Sequence, residues 1–311
     1  MGLEAVPHLA SVRVTPASDA VVRRIHHELA RRLPAVHARV LEELGAAAFV
    51  AYWTVVSGQR ILGRLERGRD GLERTIAALR ASGLECERGR FDMMPGREAV
   101  GGARHAGHLV PRDTEPHARA VVYFSALREL VLAADAVERG PNDALVGRLY
   151  GYPECCVRFF AAAGAAPDKT PACVPRIGPF SSLLNPAMGP LYGFRLLFHF
   201  PCSVDCAASR RLVEERLAHL QQHAPSLAEF AAQGAGLLLY GPQLGIALAT
   251  RYHAVGDDAF RLEEVVTRSP RSIELISTLP AGALIRCRAP RDFDVGGIQC
   301  RDGQNVLAQF T

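Results

Sequence analysis

The spacing of apolar and polar residues divides the chain into three regions, and helical and extended patterns alternate in the first, residues 1–140. Apolar positions three and four apart predict a helix through residues 26–33, capped by Ser18 or Asp19 and ended by Pro34. Alternating strands and helices are typical of an α/β layer arrangement, which we expect here. The further predicted elements are a buried strand over 47–56, a helix over 59–83 closed by Gly83, strands over 84–91 and 117–126, and a helix over 127–140.

The second region, residues 141–234, is predicted to be mostly helical and carries two pairs of cysteines. Pro153 suits the first turn of one helix. Ser203 as N-cap and Asp205 in the first turn predict a long helix over 203–223. The remaining elements are a short helix over 142–149, a proline-rich connection over 166–190 and a strand over 193–200.

The third region changes period, because short apolar or alternating runs are separated by glycine, proline and aspartate turns. This pattern predicts a small antiparallel β-sheet or half-barrel. We therefore expect an α/β (α+β) fold with N-terminal α/β layers over 1–140, a central helical segment with the cysteines over 141–234, and a C-terminal antiparallel sheet over 235–311. The runs expected to form strands are 236–241, 245–255, 259–268, 272–279, 282–288 and 305–310.

Composition indicates an ordinary globular protein of 311 residues, of which 49% are hydrophobic and 22% charged. No apolar run is long enough to span a bilayer, and no signal-peptide pattern is visible, so we expect a cytoplasmic protein without membrane contact. The net charge of +4 comes from arginines scattered among acidic residues, with Lys169 as the only lysine. The lack of a basic run interleaved with aromatic residues argues against nucleic acid as a partner.

Two pairs of cysteines are the strongest chemical signal in the sequence. Cys155 and Cys156 lie in LYGYPECCVRFF, and Cys202 and Cys206 lie in FHFPCSVDCAASRRL; a proline precedes each pair at a predicted helix start. Free N–H groups and the positive end of the helix dipole favour thiolate over thiol at such positions. In a cytoplasmic protein, clustered cysteines more often bind metal or do chemistry than form structural disulfides.

The adjacency of Cys155 and Cys156 favours a polynuclear centre. Neighbouring residues on a helix point about 100° apart, whereas structural zinc prefers a C-x2-C spacing. The irons of a cluster are spread over several ångströms, so both sulfurs can reach one cluster and four thiolates satisfy four irons. We therefore predict an iron–sulfur cluster of the 4Fe–4S type as the cofactor, with zinc as the alternative. A thiol or disulfide redox site and plain buried cysteines are the two other interpretations.

Other residues near the pairs are candidate site residues. His199, three residues before Cys202, is predicted to be a further metal ligand or a catalytic proton donor, although a histidine in an apolar run is more often a hydrogen-bonded core residue. Asp205 and Ser209 are predicted to hydrogen-bond cluster sulfides or a substrate, and helix capping explains Asp205 equally well. Cys173 is the best candidate for a spare ligand or a resolving thiol. Phosphate-loop, dinucleotide-binding, nucleophile-elbow and zincin motifs are missing from the sequence.

The strings GRLYGYPECCVRFF and FHFPCSVDCAASRRL resemble the signature of a prokaryotic family, domain of unknown function 483. Its GYP-x-CC element falls here on Gly151 to Cys156, and its H-x-PCS-x-x-C-x-x-S element falls on His199 to Ser209. The match covers residues 130–250. The family name implies no activity, but the resemblance implies that both cysteine pairs and His199 belong together.

The sequence thus predicts a metal-dependent enzyme whose cysteine-ligated centre does redox or sulfur-transfer chemistry on a small-molecule substrate. One alternative is a non-catalytic module with a structural zinc site and a partner-binding β domain. A second is a metal-free thiol redox protein, in which folding would not depend on metal. The oligomeric state does not follow from the sequence.

Overall fold

A computed structural model describes residues 12–94, 108–138, 140, 142–163, 169–242, 244–256, 259–280, 283–300 and 306–311 of the chain. Helices and sheets of mainly antiparallel strands confirm the expected mixed α/β fold with a C-terminal β-sheet. Within the described ranges, every helix is too short or too polar to cross a membrane. The α-helices are α1 (Ala20–Arg32), α2 (Ala35–Val56), α3 (Leu72–Ala81), α4 (Arg128–Glu138), α5 (Asp143–Leu149), α6 (Glu154–Ala162), α7 (Thr170–Cys173), α8 (Met188–Tyr192), α9 (Ala207–Gln221), α10 (Ser226–Ala232) and α11 (Pro270–Ser277).

The strands form two separate sheets. The strands are β1 (Arg13–Pro16), β2 (Gly63–Arg67), β3 (Glu85–Met94), β4 (His108–Pro111), β5 (Arg119–Ser125), β6 (Gly236–Gly241), β7 (Gly245–Ala254), β8 (Ala259–Thr267), β9 (Leu284–Ala289), β10 (Asp292–Val295), β11 (Ile298–Cys300) and β12 (Val306–Phe310). The larger sheet has eight strands, of which seven are antiparallel in the order β11-β10-β9-β8-β7-β6-β12. The eighth, β1, pairs in parallel with β8. The smaller sheet is antiparallel in the order β2-β5-β3-β4.

Strand β5 is buried on both faces of the smaller sheet, which explains its continuous apolar sequence. Val122 and Phe124 face the core shared with α2 and α3, whereas Val121 and Tyr123 face α4. This alternation is what a period of two residues requires. The predicted strand over 117–126 and the predicted helix over 127–140 are therefore confirmed as β5 and α4.

Two predictions in the first region are wrong. Residues 47–56 form the second half of α2 and not a strand, because this helix is buried on several sides and shows no polar stripe. Residues 59–83 were predicted as one helix but contain β2 followed by α3. Gly71, at φ +84°, precedes α3 in a conformation that side chains disfavour, and it separates the two elements.

Three further predictions in the rest of the chain need correction. The run 193–200 forms no strand; it is an irregular segment that packs Phe194 and Leu196 into the core. Residues 272–279 are mostly helical, because Ser269 caps α11 through the N–H of Ser272 and Pro270 opens the helix. The helix expected to begin at Ser203 begins at Ala207 instead.

One hydrophobic cluster joins all three regions of the sequence. It contains Ile25 of α1, Phe49 of α2, Val213 of α9 and Leu248 of β7. A second cluster fills the other face of the larger sheet, around Leu262. Helix α9 is thus anchored in the same core as the N-terminal helices and one face of the larger sheet. The predicted domain boundaries at 140 and 234 stay predictions about folding units.

Candidate metal centre

The backbone brings the two cysteine pairs to the beginnings of two helices. Helix α6 follows Pro153, so Cys155 and Cys156 occupy its first turn. Residues 201–206 form tight turns, and Cys206 is the N-cap of α9, its Sγ accepting from the N–H of Ser209 at 3.5 Å. Both pairs therefore lie at helix starts, as predicted, although Cys202 lies in the preceding turns.

The four sulfur atoms meet in one place. Cys155 Sγ lies 3.8 Å from Cys156 Sγ and 3.7 Å from Cys206 Sγ, and Cys156 Sγ lies 3.7 Å from Cys206 Sγ. Including Cys202, all four Sγ atoms lie within 4.8 Å of one another. Cys156 and Cys206 are buried, Cys155 and Cys202 are half-buried, and all four are free thiols. The predicted grouping is confirmed, and these four cysteines could hold a metal ion.

Hydrogen bonds converge on two of these sulfurs. The N–H of Cys202 donates to Cys156 Sγ at 3.3 Å, and Ser209 Oγ lies 3.2 Å from the same sulfur. Burial raises the pKa of Cys156 to about 11. Burial also acts to raise the pKa of Cys206, but hydrogen bonds from Ser209 and the neighbouring thiols outweigh it and lower the pKa to about 7. Four mutually close thiols thus do not ionise together by themselves, and a cation among them would supply the missing positive charge.

The structure places His199 behind Ser209. Its Nε2 lies 2.9 Å from Ser209 Oγ, and its ring lies 4.9 Å from the ring of Tyr152. Burial lowers the pKa of His199 to about 3, and Arg216 and Arg60 act in the same direction. The imidazole is therefore neutral near pH 7, and Ser209 links it to the sulfur of Cys156. The group of close sulfur ligands contains cysteines alone.

The carboxylate of Asp205 points to the surface. It forms an ion pair with Arg176 at 2.9 Å, and both side chains are about half exposed. Its N–H donates to Ser203 Oγ at 3.1 Å, so Ser203 closes a turn and does not cap the helix as expected. The contacts of Asp205 are therefore those of a surface residue in the turn before α9.

Cys173, the predicted spare ligand, lies outside the sulfur group. Its Sγ contacts the carbonyl oxygens of Lys169 at 3.1 Å and Pro201 at 2.9 Å. Its own carbonyl oxygen accepts from the N–H of Val204 at 2.9 Å. Cys173 thus supports the turns that carry Cys202.

Buried arginines beside His199 were missed by sequence reasoning. Arg60 donates from Nε to the carbonyl of Tyr150 at 3.1 Å, and Arg216 donates from Nη1 to the carbonyl of Leu196 at 2.6 Å. The sequence does indicate that Arg216 is buried, because it falls at helical spacing with Val213 and Leu220 on the buried face of α9. Arg60 offered no such signal, since it lies in a turn after α2.

Comparison with known proteins gives no relative for this chain. No family model, no curated protein and no solved structure matches it. The resemblance to domain of unknown function 483 therefore stays a prediction, and the function has to be argued from the geometry.

Proposed function

We propose that Cys155, Cys156, Cys202 and Cys206 bind one zinc ion as a tetrathiolate centre that stabilises the fold. The observation that carries this proposal is the spacing of the sulfurs. A zinc ion held tetrahedrally by thiolates at about 2.3 Å has its ligands about 3.8 Å apart. The three Sγ–Sγ distances among Cys155, Cys156 and Cys206 are 3.7, 3.7 and 3.8 Å.

The same spacing argues for a single ion and against the four-iron cluster expected from the sequence. Each thiolate of such a cluster binds a different iron, so its sulfurs are spread further apart, on the order of 6 Å. All four sulfurs here lie within 4.8 Å of one another. The two adjacent cysteines of α6 fit one ion because their Sγ atoms lie 3.8 Å apart, the spacing of two ligands on the same zinc.

Four protein ligands favour a structural role. A zinc site with four cysteines is closed, whereas catalytic zinc keeps a position for water or substrate. The ion would join α6 to the turns before α9, two segments separated by the proline-rich connection. The N–H groups of Cys202 and Ser209, which point at sulfur, would stabilise the thiolates. This proposal corresponds to the zinc alternative raised by the sequence.

Metal analysis of the purified protein tests the proposal. We expect about one zinc per chain, no visible absorption, and a tetrahedral thiolate spectrum after cobalt replaces zinc. The variant Cys206→Ala should lose the metal. Cys86→Ala also removes one buried thiol but lies in β3, away from the centre, and should retain it.

Two outcomes would overturn the zinc assignment. About four irons with matching sulfide would instead support the redox or sulfur-transfer enzyme predicted from the sequence. Protein that contains no metal, even after anaerobic purification with zinc present, would leave the thiols themselves as the chemistry. In that case Cys206, whose pKa is lowered to about 7, should be alkylated first.

A further inference from the structure

Three arginines surround one phenylalanine next to the metal centre. The guanidinium carbons of Arg60, Arg195 and Arg216 lie 5.7, 5.8 and 5.3 Å from the centre of the Phe198 ring. Each distance is in the range of a cation–π contact. Arg60 comes from the turn after α2, Arg195 from the irregular segment 193–200, and Arg216 from α9, so the fold brings these charges together from three places.

None of these arginines forms an ion pair with a carboxylate of the described residues. The ion pairs of that part of the chain involve other arginines and one histidine, and Glu215, the neighbour of Arg216, is exposed. Arg60 is 6% exposed and Arg216 only 2%. Buried guanidinium groups are normally paired with an anion, because the loss of hydration is otherwise not offset.

The hydrogen bonds of the two buried arginines leave most of their donors unused. A guanidinium carries five N–H donors. Among the described residues, Arg60 and Arg216 each make one hydrogen bond, to a backbone carbonyl. The Nε of Arg216 is enclosed and has no acceptor. The guanidinium carbon of Arg60 also lies 5.4 and 5.5 Å from the ring centres of Tyr150 and Tyr152. Ring faces accept positive charge weakly, so these rings do not replace a negative partner.

We propose that Arg60, Arg195 and Arg216 form a binding site for the oxyanion group of a small molecule, a phosphate or a carboxylate. Forked guanidinium donors match the paired oxygens of both groups. Arg195 is exposed and Phe198 half-buried, so solvent reaches the site from their side. The site uses none of the four cysteines, so its residues are distinct from the proposed zinc ligands. It would place an anionic ligand beside Tyr152 and His199.

Calorimetric titration of the full-length protein tests this site. The probes are inorganic phosphate and, separately, acetate and succinate, with chloride at equal ionic strength as the reference. We expect saturable binding of phosphate or of a carboxylate, and the arm that binds identifies the group. Arg195→Ala should weaken that binding about tenfold or more, as the loss of a charge-assisted hydrogen bond implies. Arg211→Ala also removes an exposed arginine, from α9, and should leave binding unchanged.

A second variant keeps the result interpretable. Arg216→Lys retains the charge but not the fork, so it should weaken binding while circular dichroism shows an intact fold. Absence of saturable binding by every probe, or an equal loss in Arg195→Ala and Arg211→Ala, would overturn the proposal. Metal analysis of the same samples tests the zinc proposal separately. Zinc without anion binding would contradict only the anion site, and anion binding without zinc would contradict only the zinc site.

Discussion

Ser209 contacts both the sulfur of Cys156 and the imidazole of His199, and it has one proton to donate. If Cys156 is a thiolate, Ser209 donates to the sulfur and accepts from the Nε2–H of His199. If Cys156 is a thiol that donates, the order reverses and the imidazole proton moves to Nδ1, which is buried without a partner. An enclosed N–H without an acceptor is rarer in proteins than an unused acceptor. The contacts of Ser209 therefore fit the thiolate form that a bound metal requires.

His199 should make the folded protein sensitive to acid. Its pKa is lowered to about 3 by burial and by Arg216 and Arg60, whereas the unfolded chain has a histidine pKa near 6.5. Between these values the unfolded state binds more protons, so the free energy of unfolding falls as the pH decreases. Between about pH 6.5 and pH 5 the free energy of unfolding of the wild type should decrease. We expect His199→Asn to make this decrease smaller by up to about 1.5 kcal/mol. Urea unfolding of both proteins across this range measures the difference.

The control for this prediction is His219→Asn. His219 is an exposed histidine in the last turn of α9 and makes no contact with the centre. Protonation of the thiolates affects all three proteins alike, so it cancels in the comparison. If His199→Asn and wild type lose stability in parallel, His199 is not the group that causes the acid sensitivity.

At the scale of elements, prediction succeeded where local signals agree with burial. Strand β5, helix α4 and helix α5 have flanking turn residues and one clear period, and all three were predicted. Prediction failed for α2, because a helix that is buried on several sides has the same continuous apolar sequence as a buried strand. It also failed for 193–200, whose apolar residues reach the core without forming a ladder.

The same distinction holds for the site. The cysteine pairs were found because thiols at two predicted helix starts form a pattern within the sequence. The spacing of the sulfurs depends on how α6 and the turns before α9 pack, which no local pattern contains, so the sequence could not decide between the cluster and the zinc hypotheses. Arg60 and Arg195 belong to segments without regular structure, and only the fold brings them to Phe198.

Helix α2 contains a glycine, Gly45, that we expect the kink in this helix to require. Gly45 has φ +73° and ψ +161°, a region open essentially to glycine, and it marks a kink between two helical stretches. An added Cβ meets no atom within 4 Å, so backbone strain is the only penalty. We expect Gly45→Ala to lower the free energy of unfolding by about 1–3 kcal/mol, measured by urea denaturation.

Gly68→Ala provides the comparison for Gly45. A Cβ at Gly68 also meets open space, and its φ is not positive, so this substitution should be neutral or slightly stabilising. Equal stability of the two variants would show that α2 straightens at no cost.

In the whole molecule, the candidate metal centre lies between two series of helices that pack on different parts of the fold. Helix α6 contacts α5, which contacts α4 and through it β3 and β5 of the smaller sheet. Helix α9 contacts α10, which contacts α1 and through it α2. A zinc ion shared by the first turns of α6 and α9 would therefore connect these two series of helices directly. The cluster around Leu262 in the larger sheet is built from other residues and should not need the ion.

Removal of the metal should consequently loosen one part of the molecule and not all of it. After chelation we expect amide hydrogen exchange to rise at least about tenfold in the first turns of α6 and α9, because the thiolates then repel or take up protons and release the turns. Exchange in β7 and β8 should change little, since the two strands pair with each other and one face of both packs into the second cluster, which contains none of the four cysteines of the centre. Exchange measured by mass spectrometry before chelation, after it and after zinc is restored gives the comparison. An equal rise in β7 and β8 would mean that the ion supports the entire fold, and no rise anywhere would mean that the four cysteines hold their places without it.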